Sequence, residues 1–503
     1  MPTVSDRADS AAPAQWSRDQ GSPVLIAVCV TAITLLAAVV RLRGLDAQGI
    51  TLDEALSIFL ARAPFPDFAH TIWRSELNMA PYYLLLRGWM HLGHCEWIVR
   101  LLGVVLSTAT VPIVYGLGRR LFNARAGLIA AALLALHPFD AMLARNARAY
   151  PLVILLVCLS GLSFIRGLQK PTWLTWTVYA VLSAAAVYSH FFAVLVVVAQ
   201  LASLLFVRLA RVPWKQLLYA LALLAVLLFP WAVFMATNGE ASHIAWVQPL
   251  SAQQLRWLLY SLTLGKARSL TYVFLWIVAA WSAVRAANDA ERWPYWFVFL
   301  WLSVPVALAI AASLRQPLLV ERFLSICLPA SVLLAAAGIA RLATFSRLIA
   351  VAVFALLVFY SLSAIRFNER HIEVDEGWRQ SSRRILQNLQ PGDVVIAEGM
   401  KGLAFDYYRD TYTGSLPSFQ RLDSFTRPLP SPLPANIWVL GWVRANPGAP
   451  GAAPRNDTQA VQLFSEEHRD EYCGSAPVFD AGVTRVWRFA RCSLGDAGPP
   501  TVQ

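Results

Sequence analysis

Residues 24–62, VLIAVCVTAITLLAAVVRLRGLDAQGITLDEALSIFLAR, run uncharged and apolar through Val40 and then place two adjacent acids, Asp53 and Glu54. A helix of about 20 apolar residues covers the ~30 Å hydrocarbon core of a bilayer, so the first half predicts a membrane span over 24–42. A polar leader precedes it, Arg41 and Arg43 follow it, and no convincing small-residue cleavage motif is present, so the span reads as a retained anchor rather than a signal peptide. The stretch LDEALSIFLA beyond it has the pattern of an amphipathic helix. Its acids either mark a solvated helix start, where negative charge suits the positive end of the dipole, or carry chemistry. Adjacent helical residues diverge by about 100°, so the two carboxylates face different partners.

Outward from this stretch, the same length and hydropathy test finds ten more segments: 97–118, 125–143, 149–166, 173–190, 191–208, 217–236, 269–285, 294–313, 319–341 and 347–366. The composition agrees, with 57% hydrophobic residues, 14% charged and a mean hydropathy of +0.52, far from a soluble domain. The expected fold is a polytopic α-helical membrane protein with about eleven spans and a small C-terminal extracytoplasmic α/β domain.

The net charge of +12 raises nucleic acid as a partner, and its distribution argues against one. Residues 367–503 hold 14 Lys and Arg against 16 Asp and Glu, leaving the surplus to the membrane part. It gathers in alternate loops, at Arg119, Arg120, Arg125, Arg166, Lys170, Arg208, Arg211, Lys215, Arg285, Arg292, Arg341 and Arg347. Positive-inside bias accounts for this pattern. It places 1–23 in the cytoplasm as a tail, 24–366 in the membrane and, after an odd number of spans, 367–503 outside. Two outer loops are long, 43–96 and 237–268, and long loops on a rigid scaffold are where function concentrates. Within the first, NMAPYYLLLRGWMHLG is too short to span and suits the membrane interface. In the tail, EGWRQSSRRILQNLQPGDVVIAEG reads as helix, turn and strand, LAFDYYRD as a helix, and NIWVLGWV, AVQLFSE and TRVWRFARC as strands. Cys473 and Cys492 fall in this exterior part, where a disulfide is permitted.

Several polar residues stand out against the apolar background. ARNARAY, 144–150, puts Arg145 and Arg148 on the outer face, where bias disfavours cations. A lipid-borne phosphate held by planar guanidinium donors explains them, as does snorkelling into ordinary headgroups. SLRQPLLVERFLSICLPA holds Arg315 and Arg322 near another outer end, with Glu321 as a neutralising alternative. His190, in YSHFF, is either an interface histidine or a metal ligand, though no helical His/Glu spacing supports the latter. Except for Asp140 and Glu321 near span ends, acids are missing from the apolar segments, which weakens an ion-coupled transporter reading.

Taken in order, LDEA, NMAPYYLLLRGW, VYGLGRRLFNARAGLIAAALLALHPF, ARNARAY, YSHFF, ERFLSICLPA and GWRQSSRRIL…PGDVV resemble the bacterial glycosyltransferases of the GT-C fold related to protein O-mannosyltransferases and the lipid A aminoarabinose transferase. The resemblance implies a polyprenyl-phosphate-linked sugar as donor, an envelope lipid, glycan or protein as acceptor, membrane lipids as surroundings, no nucleic acid, and a bacterial inner-membrane location. It implies Asp53 as general base and Glu54 as a positioning group beside it. A departing lipid phosphate gains negative charge that preplaced cations stabilise, and Arg148 and Arg322, with Arg145 and Arg315, are the candidate holders of the donor phosphate; Tyr150 and His190 match the family pattern and, with Asn78 and Tyr82, are the candidate substrate-binding residues. A divalent metal ion is an open cofactor: relatives often carry Glu two residues before the Arg of the ARNARAY region, and Asn146 stands there. The rival reading is a flippase or transporter of lipid-linked sugars. A noncatalytic envelope assembly component ranks below it.

Overall fold

The computed structural model describes residues 22–207, 212–238, 247–265, 268–370, 376–443, 457–473 and 477–492. Helices α1 (Pro23–Leu42), α2 (Leu52–Arg62), α3 (Phe65–Thr71) and α4 (Ala80–Trp89) open the chain. The bundle continues with α5 (Glu96–Leu121), α6 (Ala124–Ala135), α7 (Pro138–Ala144), α8 (Tyr150–Gln169), α9 (Trp173–Ser189) and α10 (Ala193–Ala202). It is completed by α11 (Trp214–Asn238), α12 (Ala252–Leu262), α13 (Ser269–Arg285), α14 (Asp289–Ser313), α15 (Leu328–Phe345) and α16 (Arg347–Arg370).

Among the described residues seven helices are long and apolar enough to cross a membrane, and the pair α6 and α7, bent by 58°, makes up to eight. The protein is a multi-pass membrane protein. The expected segments 173–190, 191–208 and 269–285 also form helices, but α9 and α13 have 17 residues each and α10 has 10. At 1.5 Å per residue, 17 residues reach only ~25 Å, so the count of eleven rests on these three short helices. Arg208 and Arg211 of the basic loops lie outside the described residues, as do 1–21 of the N-terminal tail and 239–246 of the second outer loop.

The bend between α6 and α7 has a visible cause. Pro138, at the first position of α7, cannot donate to the preceding turn, so carbonyls at the end of α6 need other donors. Arg41, fully buried in the last turn of α1, supplies them. Its guanidinium donates to Leu134 O at 3.2 Å and Ala135 O at 3.0 Å, to Ser107 Oγ at 2.6 Å, and pairs with Asp140. The Asp140 noted near a span end is thus half of a buried ion pair that locks α1 to α5 and α7.

The C-terminal domain has α17 (Trp378–Asn388), α18 (Met400–Asp410) and α19 (Thr458–Glu467) around a mixed sheet. Its strands are β1 (Asp393–Ile396), β2 (Phe419–Leu422), β3 (Asn436–Trp442), β4 (Tyr472–Cys473), β5 (Pro477–Ala481) and β6 (Thr484–Arg491). The order is β2-β1-β3-β6-β4 with β5 also on β6; β1 is parallel to β2 and β3, and β6 is antiparallel to its neighbours. AVQLFSE, expected as a strand, is helix α19: its buried residues Val461 and Phe464 are three apart, a helical spacing. Cys473 and Cys492 are bridged, with Cα atoms 5.1 Å apart. α16 runs to Arg370, past the expected boundary at 366. The sheet domain packs on the first outer loop: Ile58, Leu60, Trp378, Phe405 and Tyr408 share one buried cluster. Gly377, at φ +82°, makes that entry possible, because a Cβ there would meet Ala481 O at 1.9 Å.

Candidate active site

The site is built on α2. Thr51 caps it: its hydroxyl accepts from Glu54 N at 3.3 Å, while Glu54 Oε2 accepts from Thr51 N at 3.0 Å. This reciprocal pair is a capping box, and its Thr-x-x-Glu signature stands openly in the sequence. The same carboxylate accepts from Arg100 Nε and Nη2, each at 2.7 Å, and from Ala147 N at 2.9 Å. Arg100 in turn donates to Leu45 O, Gln48 O and Gly49 O at 2.8–2.9 Å, so all five guanidinium donors are engaged. Glu54 is 1% exposed and accepts four hydrogen bonds. It has no room to act on a substrate; instead its bond to Ala147 N holds the 144–149 loop in place.

Breaking such a pair leaves an uncompensated buried charge, at a cost of about 3–5 kcal/mol. Arg100→Ala is therefore expected to lower thermal stability in detergent sharply, with loss of Glu54 doing the same. An unfolding midpoint unchanged in both variants would contradict this account of the lock.

Asp53, one residue earlier and on another face of α2, is half-buried and points at cations. Its Oδ2 lies 3.2 Å from Nη1 of Arg322, which stands on the 3-10 turn Glu321–Cys327 leading into α15. From the other side, Arg148 Nη1 donates to the Asp53 carbonyl oxygen at 3.3 Å. Burial alone would raise the Asp53 pKa, but the charges of Arg148 and then Arg322 outweigh it and hold the carboxyl below its ordinary value. The Arg148 loop is tight, with Arg148 N on Asn146 O at 2.8 Å. It crosses α5 at Gly103, where a Cβ would lie 2.5 Å from Ala144 O.

Around this carboxylate and its two guanidiniums the fold gathers Tyr82, Tyr150 and His190. His190 caps the end of α9 and is buried. Its ring stacks on Phe191 at 5.2 Å and lies 4.8 Å from Phe323 and 6.0 Å from Tyr150. Phe192 N donates to its Nδ1 at 3.3 Å, which assigns the proton of the neutral ring to Nε2. That Nε2, the hydroxyls of Tyr82 and Tyr150 and Nε of Arg148 are buried with no protein partner among the described residues. Tyr82 and Tyr150 both lie within electrostatic reach of Arg148.

Two expected residues, Arg145 and Arg315, have other surroundings, and a third, Asn78, braces the edge of the site. Arg145 donates to Val40 O at 2.7 Å and Arg41 O at 3.4 Å, so it caps the C-terminal carbonyls of α1, where cations are favoured. Arg315 is exposed beyond the end of α14, and no described contact joins it to Asp53. Asn78 accepts from Phe191 N at 3.0 Å beside Met79 N on Tyr188 O at 2.9 Å, stitching the first loop to the end of α9. Met79 takes the left-handed φ of +80°, an uncommon conformation outside glycine, to start α4 and seat Tyr82. Sequence reading passed over Arg100, Glu76 and Tyr83. Glu76 lies on the π-helical turn Ile72–Glu76, a form frequent at functional sites, and accepts from Tyr83 OH at 3.4 Å.

Among the described residues no three His, Cys, Asp or Glu side chains form a set able to hold a metal ion, and Asn146 contributes a neutral amide. No step below passes through a metal ion.

The bundle of apolar helices with a small C-terminal sheet domain is a GT-C fold, shared with the solved structures that follow. A family model described as dolichyl-phosphate-mannose-protein mannosyltransferase matches residues 79–234. Among solved structures, the chain is similar to ArnT from Cupriavidus metallidurans bound to undecaprenyl phosphate, at TM-score 0.61 and 15% identity, covering 95% of this chain and 100% of that one. The apo state of the same ArnT matches at TM-score 0.61 and 15% identity, over 92% and 98% of the two chains. The oligosaccharyltransferase of Archaeoglobus fulgidus tethered to an acceptor peptide matches at TM-score 0.50 and 13% identity, over 80% of this chain and 64% of that one. No curated protein matches the sequence. At these identities the likeness speaks for the fold.

Proposed function

We propose that this protein is an integral-membrane glycosyltransferase that moves a sugar from a polyprenyl phosphate to a hydroxyl acceptor at the outer face of a bacterial inner membrane. The observation that carries the reading is the Asp53–Arg322 pair at 3.2 Å with Arg148 bound to the same residue. It sets a proton acceptor beside two anion-binding groups, and the solved relative crystallised with undecaprenyl phosphate shares the fold. Carboxylates alone would serve many reactions; a carboxylate flanked by guanidiniums suits one in which a proton is taken while a phosphate departs.

The acceptor hydroxyl is a poor nucleophile. Asp53 accepts its proton as the oxygen bonds to C1 of the sugar, and the bond from C1 to the phosphate oxygen breaks with its electron pair. The lipid phosphate monoester leaves with added negative charge, which Arg148 and Arg322 stabilise where it develops. His190 Nε2–H and the Tyr150 hydroxyl are further donors facing the same charge. One displacement inverts the anomeric carbon. Arriving phosphate competes for the guanidiniums that depress Asp53, so donor binding raises the basicity of the carboxylate at the moment an acceptor needs it. The acceptor is an envelope lipid, glycan or protein.

The test uses purified protein in detergent with a radiolabelled polyprenyl-phosphate sugar and envelope extract as acceptor source. Transfer of label together with release of polyprenyl phosphate is expected. A flippase or transporter would yield neither, because vectorial movement does not survive loss of the bilayer.

A further inference from the structure

The segment that leads from the first span into Asp53, residues 45–52, has little regular structure of its own, yet it decides where Asp53 points. Arg100 of the bundle holds three of its carbonyls. Further handholds come from the C-terminal domain. Arg379 Nη2 donates to Asp46 O at 2.8 Å and Gln48 O at 2.7 Å. Ile50 N donates to Tyr408 Oη at 2.6 Å. Leu52 N, in the first turn of α2, donates to Glu376 Oε2 at 3.3 Å, and the same oxygen accepts from Trp378 Nε1 at 2.6 Å.

These groups are themselves fixed. Trp378 is fully buried, and Ser381 Oγ lies 2.6 Å from Thr484 Oγ1, tying α17 to β6. Arg379 pairs with Glu96 at the start of α5, and Tyr408 donates to the same carboxylate at 2.7 Å. Glu96 therefore joins the sheet domain to the bundle at the point where the Asp53 segment passes between them. The Glu376 carboxyl is raised above its ordinary value by burial and by the charges of Asp53 and Glu54, partly offset by its bonds to Trp378 and Leu52. It stands close enough to feel the proposed base.

We propose that the C-terminal domain completes the active site, with Glu376 as a positioning residue that sets the first turn of α2 and with it Asp53, while Tyr408 and Arg379 clamp the segment before it. Resting on the transferase reading above, it deepens that reading by assigning the exterior domain a role in the chemical step rather than only in partner binding. The bonds Glu376 makes are accepted bonds. A glutamine keeps an acceptor oxygen in the same place, and an alanine does not.

The experiment compares Glu376→Gln, Glu376→Ala and Tyr408→Phe, with Arg383→Ala, an exposed residue of the same domain, as control. Each is purified in detergent and assayed with the labelled polyprenyl-phosphate sugar. Misplacing a reacting group by about 1 Å costs on the order of 100-fold, so Glu376→Ala is expected to lower kcat by about 10- to 100-fold with donor KM within about 2-fold. Glu376→Gln should recover most of that rate, and Arg383→Ala should match the wild type. If Glu376→Ala does not accumulate, Tyr408→Phe removes the acceptor of Ile50 N and should lower kcat in the same way. Wild-type rates in Glu376→Ala and Tyr408→Phe, or equal losses in Glu376→Ala and Glu376→Gln, would overturn the positioning role while leaving the transferase reading intact. Absence of transfer by the wild type would instead remove the reading on which it rests.

Discussion

Asp53→Asn is expected to reduce sugar transfer by about 100- to 10,000-fold, the range for loss of a general base, with protein yield and donor binding retained. The amide keeps the size of the side chain and loses its proton affinity. It also ends the ion pair with Arg322, leaving both guanidiniums to the phosphate, so donor affinity should hold or rise while turnover collapses. Turnover near the wild-type value in a well-expressed Asp53→Asn variant would reject the base assignment. The pH dependence carries a sign. Because Arg148 and Arg322 depress the Asp53 pKa, its carboxylate persists below the usual value of about 4 in donor-free protein. Its contribution to stability is therefore full above that value and lost as pH falls through the lowered one. With donor bound and the arginines occupied, the acidic limb of kcat should lie higher than that of kcat/KM.

Arg148→Ala should cost about 100- to 1,000-fold in kcat, the scale for removing one preplaced donor to a developing oxyanion. Arg148→Lys should recover only part of it, since an ammonium keeps the charge and loses the planar fork. The comparison with Arg145→Ala separates site from scaffold. Arg145 lies three residues away and binds the end of α1, so its loss should lower stability and leave kcat within a few-fold of wild type. Equal kcat losses at 145 and 148 would show that the loop acts only through its general positive charge.

Much of the architecture was legible in the residues. Span positions follow from transfer energetics that act locally, and every expected apolar segment became helical. Most tail elements followed too, whereas VQLF forms a helix because a short apolar run does not reveal its period; the Cys473–Cys492 bridge, which the sequence only permits, is decided by the fold that brings the two Cα atoms to 5.1 Å. LDEA, ARNARAY and ERF supply Asp53, Arg148 and Arg322, which the fold brings together. Arg145 stands three residues before Arg148 in the same motif, and only the backbone turn between them sends its side chain to the end of α1.

What the sequence determined by itself is the membrane character, the chain order of spans and loops, and a short list of charged residues set against an apolar background. Tertiary structure alone decided that Glu54 closes a buried lock with Arg100 while Asp53 meets Arg322, and that the C-terminal domain reaches back to Leu52. The physical reason is that hydrophobic pattern is summed over one segment, whereas a carboxylate's role depends on which distant cation and which buried N–H the packing brings within about 3 Å.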